Sequence, residues 1–166
     1  LYDNIKVNNL YSEQDTIGLW LDSFANHNGE IIINNPQIIN TKNRAVFLKS
    51  RGTNFYTTIN RPIINGYGVT TPNAHGIDFE GYNYGSETQM GYIKILEPTI
   101  INGNASSTNP VAINIAPTAN TTYTSLDIIN PLDLDNKFIN FNAAIINSKI
   151  IDTYNAISKA PLADSV

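Results

Sequence analysis

The chain has 166 residues, 42% of them hydrophobic and only 14% charged, with a net charge of −4. That length fits a single domain. The sparse acidic charge lacks the footprint of a nucleic-acid partner, and no apolar run approaches the roughly 20 residues of a membrane span, so neither nucleic acid nor membrane insertion is expected. There is no cysteine, and the two histidines stand apart, so disulfides are excluded and no metal or other cofactor is expected.

Isoleucine and asparagine occur 25 times each. Isoleucine packs well on a pleated surface, whereas asparagine tolerates left-handed dihedrals and bonds its own backbone in turns. A chain dominated by the two alternates short strands with tight turns. Read in order, it opens on a degenerate unit, "NIKVNNLY" (4–11), followed by the strand "GLWLDS" (18–23). The unit returns as "IIINNPQIIN" (31–40), "TTINRPIIN" (57–65), "IKILEPTIIN" (93–102) and "LDIINPLDL" (126–134), with Pro36, Pro62, Pro98 and Pro131 at the same place. A second strand follows each copy: "AVFLKS" (45–50), "GIDFEG" (76–81), "AINIAP" (112–117) and "FINFNA" (138–143). The last copy is expected at "INSKIIDTYNAI" (146–157), aligned on residues 34–46 with serine in place of proline.

Stacking the second strands puts Leu19 and Leu21 over Val46 and Leu48, then Ile77 and Phe79, Ile113 and Ile115, and Ile139 and Phe141. Strand alternation sends all of them to one face. Two strands per repeat, no helical periodicity and variable insertions predict an all-β fold, a right-handed single-stranded parallel β-helix (solenoid) of about six coils spaced about 4.8 Å apart. Proline then occupies a corner, where its missing N–H is not needed by the ladder. An antiparallel sandwich also supplies short strands with Asn-rich turns, but it does not require proline at one place in successive copies. The chain forms one domain over 1–166. Since it starts at Leu1 and carries no secretion leader, it is expected to be a segment of a longer protein.

The pattern V/I-x-I-x-N/E-P-x-I-I-N followed by x-I-x-F/L resembles the right-handed parallel β-helices of the pectin-lyase-like superfamily. Its Asn/Ile-rich, low-charge character is most like that of bacteriophage tailspike and receptor-binding proteins. The resemblance implies a homotrimeric parent on the virion that binds, and in many members cleaves, bacterial surface polysaccharide. The polygalacturonase motifs of the superfamily are not found: "AHGIDF" (74–79) offers only a His-Gly.

Outward positions of the second strands form two ladders, Trp20–Phe47–Asp78–Asn114–Asn140 and Asp22–Lys49–Glu80–Ala116–Asn142. Asp78 and Glu80, two apart on a strand, lie roughly 6.5–7 Å apart at Cα, which overlaps the separation of paired glycosidase carboxylates. They are the candidate catalytic pair. Lys49 beside Glu80 would favour its ionised form and leave Asp78 as the acid. The competing account is a charge-complementary ladder. Trp20 and Phe47 are a candidate sugar platform or, alternatively, a subunit contact. The longest insertions, 66–75 and 81–90, carry Tyr67, Tyr82 and Tyr84 as candidate sugar-binding side chains, with His75 and Glu87 nearby. The expected function is polysaccharide recognition by a virion spike. The alternatives are a secreted polysaccharide lyase or hydrolase, and a non-enzymatic adhesin or shaft.

Overall fold

In the computed structural model the described residues are 2–22, 28–50, 55–70, 75–81, 89–104, 111–117, 122–134, 139–141 and 145–151. They form strands and turns, with no helix, arranged in three sheets visited in rotation. Sheet A stacks β1 (Tyr2–Asn8), β4 (Asn28–Asn34), β7 (Phe55–Asn60), β10 (Gln89–Leu96), β13 (Thr122–Ile129) and β16 (Ile145–Ile151). Sheet B stacks β2 (Tyr11–Glu13), β5 (Gln37–Ile39), β8 (Ile63–Tyr67), β11 (Thr99–Gly103) and β14 (Asp133–Leu134). Sheet C stacks β3 (Leu19–Asp22), β6 (Val46–Ser50), β9 (Ile77–Gly81), β12 (Ile113–Pro117) and β15 (Ile139–Phe141). Every pairing is parallel. The architecture is all-β, with stacked parallel sheets consistent with a parallel β-helix.

Sheet C has the expected register. Leu19, Val46, Ile77, Ile113 and Ile139 are successive partners, as are Leu21, Leu48, Phe79, Ile115 and Phe141. The six middle members of these rows, Val46 to Ile115, are buried; Leu19 and Leu21, in the outermost strand, are partly open. Ile31, Ile33, Ile59, Ile93, Ile95, Leu126 and Ile128 from sheet A, and Ile38, Ile64 and Ile100 from sheet B, complete one apolar column. Each buried isoleucine contributes about 1.5–3 kcal/mol of transfer free energy, and the β-branched side chain fits the pleat that presents it.

Two expectations are corrected. Each repeat has three strands, not two, because the proline-interrupted unit is two strands in different sheets. Asn9, Asn35, Arg61, Glu97 and Asn130 all have φ between 48° and 52°, and this left-handed step turns the chain from sheet A into sheet B. The amides of Asn9, Asn35, Arg61 and Glu97 still donate to the next layer at 2.8 Å, so the ladder runs unbroken through the corner. In the second, third and fourth copies the following residue is proline, whose carbonyl accepts (from Ile63 N, Thr99 N and Leu132 N) while its nitrogen is asked for nothing. A second left-handed row, Gln14, Asn40, Gly66 and Asn102, with φ from 55° to 79°, bends the chain at the end of sheet B, just after β2 and β5 and within the last residues of β8 and β11. The last repeat is also out of place. Residues 145–151 pair with β13 in sheet A, Asp127 against Lys149 and Ile128 against Ile150, so they match 28–34 and not the proline corner.

Candidate functional site

The outer face of sheet C carries the first ladder in register: Trp20, Phe47, Asp78, Asn114 and Asn140 are successive partners. Of the four members whose side chains are described, Trp20 alone is open to solvent. Trp20 is 57% exposed, whereas Phe47, Asp78 and Asn114 are buried although they point away from the core. The cause is Arg44, in the turn before β6. Its guanidinium lies 4.3 Å from the centre of the Phe47 ring, a cation–π contact, and its Nε pairs with Asp78 Oδ2. Trp20 also packs against Phe47, ring centres 5.5 Å apart and tilted by 57°. Asn114 Nδ2 donates to Asp78 Oδ1 at 2.7 Å.

Asp78 is therefore a 2% exposed carboxylate with a partner on each oxygen. A buried charge needs such compensation. Asp78 and Phe47 thus keep the expected outward direction but are covered by neighbouring side chains. His75 lies beside this cluster. Burial pushes its pKa below the ordinary 6.5, with Arg44 adding to the effect and Asp78 opposing it. Its Nδ1 is buried without a hydrogen-bond partner. Lys49 and Glu80 are in register with one another, and Asp22 with Lys49, but their side chains lie outside the described residues, as do Tyr82, Tyr84 and Glu87.

Tyr67 is a further correction. It is fully buried in the core cluster, with no face available to a ligand. Its partner in β11 is Gly103, and a Cβ there would lie 2.5 Å from the Tyr67 ring. Glycine at 103 is the space that the ring fills.

Sheet A presents a site that the sequence reading passed over. Tyr56 and Tyr92 are register partners on β7 and β10, and their rings stack with centres 4.5 Å apart and planes within 5°. Gly91 permits this approach, since a Cβ there would collide with the Phe55 backbone. Tyr56 is 45% exposed. The stack borders a depression of about 200 Å³ whose lining includes Thr58, Lys94, Ser125 and Asp127. A signal existed: each tyrosine stands one residue before a repeat copy, so the alignment of those copies already stacks them. Among the described residues no group of three His, Asp or Glu is placed to hold a metal ion.

Fold and surface together define a solenoid-like stack of parallel sheets bearing an open aromatic platform. Comparison of the chain with protein-family models, curated proteins and solved structures finds no match in any of the three.

Proposed function

We propose that the chain is a right-handed parallel β-helix of about six coils, of the bacteriophage tailspike type, and that it binds bacterial surface polysaccharide without cleaving it. The observation that carries this reading is the stacked Tyr56–Tyr92 pair. It sets an apolar face beside hydroxyl, ammonium and carboxylate groups, the combination a sugar ring needs for its C–H face and its hydroxyls. The repeat pattern and its tailspike resemblance supply the biological setting, a trimeric virion spike.

Binding is favoured over cleavage by the surroundings of Asp78. A general acid must reach the glycosidic oxygen, and this carboxyl is covered and engaged on both oxygens. The ladder it belongs to is better suited to holding sheet C together.

The test is an array of purified capsular polysaccharides and lipopolysaccharide O-chains probed with the full chain. At least one should be retained. Tyr56→Ala and Tyr92→Ala should each weaken it by about tenfold, or about 1.4 kcal/mol, with the bound glycan intact after prolonged incubation. If none is retained, or if the double variant binds as the parent does, the reading fails. Release of oligosaccharides that stops in Asp78→Asn would replace it with the hydrolase.

A further inference from the structure

The depression beside the tyrosines has a neighbour. A second, of about 360 Å³, lies at the corner between sheets A and B, where Asn34, Asn60, Arg61, Glu97 and Asn130 supply its polar groups. Register joins the two. Outward positions on β7 run Tyr56, Thr58, Asn60, and those on β10 run Tyr92, Lys94, Leu96, each pair being partners. The end of one depression is therefore two residues from the start of the other, on the same strands and the same face. From Tyr56 to Arg61 the extended chain covers about 16 Å, the length of a trisaccharide.

Cations and acids alternate among the residues that line this strip. Lys94 is the partner of Asp127. Arg61 and Glu97 occupy equivalent corner positions on adjacent strands, since Asn60 pairs with Leu96. Among the described residues neither couple closes into an ion pair. A cation and a carboxylate side by side but not joined present a donor and an acceptor together, which suits adjacent hydroxyls of one sugar. The charged residues that line the two depressions are two cations and two acids, so the lining itself offers no net charge to attract an acidic residue.

We propose that the two depressions form one binding strip for an uncharged, trisaccharide-long stretch of glycan laid along the strands of sheet A, across the direction in which the layers stack. The tyrosines hold one terminal unit by stacking, Lys94 and Asp127 take the hydroxyls of the middle unit, and Arg61 and Glu97 take those of the last. This rests on the polysaccharide-binding reading above and adds its direction, length and charge preference.

The experiment titrates the full chain with a size ladder, monosaccharide to hexasaccharide, cut by partial hydrolysis from whichever polysaccharide the array retains. Affinity should rise up to the trisaccharide and then level off. Arg61→Gln should weaken the trisaccharide about tenfold and leave the monosaccharide unchanged, whereas Tyr92→Ala should weaken both. Raising the salt concentration should have no effect. Circular dichroism of Arg61→Gln, an exposed position, checks that the fold persists. A plateau at the monosaccharide, a rise that continues to the hexasaccharide, a silent Arg61→Gln, or preference for an acidic glycan overturns the strip while leaving polysaccharide binding in place. Failure of every glycan on the array overturns both.

Discussion

Glu97 holds its backbone at φ 48° although it has a full side chain. In the equivalent position of other layers stand Asn9, Asn35 and Asn130, the residue type that tolerates this region because its short amide bonds locally. A left-handed non-glycine residue is strained by about 1–2 kcal/mol. Glu97→Asn should therefore stabilise the protein by about 1 kcal/mol, seen as a higher urea midpoint at unchanged slope. His75 sets a pH dependence. Its folded pKa lies below 6.5 because burial disfavours the charged ring. As pH falls through 6.5 the unfolded chain takes up a proton that the folded chain refuses, so stability present above that value is lost below it. His75→Gln should remove that part of the acid sensitivity, measured as a smaller drop in unfolding free energy between neutral pH and about pH 5.

At the scale of the element, the amide row at the end of sheet A illustrates how the layers are joined. Asn34 Nδ2 donates to Asn8 Oδ1 at 2.8 Å, and Asn60 Nδ2 donates to Asn34 Oδ1 at 2.6 Å. Asn34→Ala removes both bonds and should destabilise by about 1–2 kcal/mol in denaturant unfolding. Ile113→Asp in β12 should be far worse, preventing folding, since it puts an unpaired carboxylate at a fully buried position. The sheet C rows were legible because every inward position is large and apolar, so alternation alone selects the register. Sheet B was not. Strands as short as Gln37–Ile39 carry too few positions to show a period, and proline disguises the boundary. Arg44 escaped because its role depends on a side chain folding back over an outer face, which strand parity does not encode. Tyr67 was misjudged because its glycine-flanked setting reads as a loop, whereas its burial depends on Gly103 one layer away.

Across the whole molecule, burial grades along the stack. Ile31 is 2% exposed, but its partner Ile5 in β1, an edge strand, is 37% exposed. Val7, Leu10, Leu19 and Leu21 share that end and are only partly covered. An edge layer with apolar side chains and unpaired backbone groups is a template for association. Taken alone, residues 1–166 should self-associate as concentration rises, and Ile5→Lys should reduce this in sedimentation velocity while shifting the thermal midpoint little.

The rotation through three sheets also governs how the fold can be reached. Side-chain bonds between layers span 26 residues at Asn8–Asn34 and Asn34–Asn60, but 36 at Asp78–Asn114 and 37 at Asn65–Asn102. Ladder partners in adjacent layers are nowhere closer than the 22 residues between Asp127 and Lys149, so the chain has almost no local route to order and should fold slowly. Once one pair of layers exists, each further layer meets a ready edge, and growth proceeds as along a one-dimensional crystal. Lengthening a loop from 26 to 37 residues adds only about 0.3 kcal/mol of closure entropy. The growing column is nearly indifferent to insertion length, and surface loops can be enlarged one layer at a time without disturbing the stack beneath them.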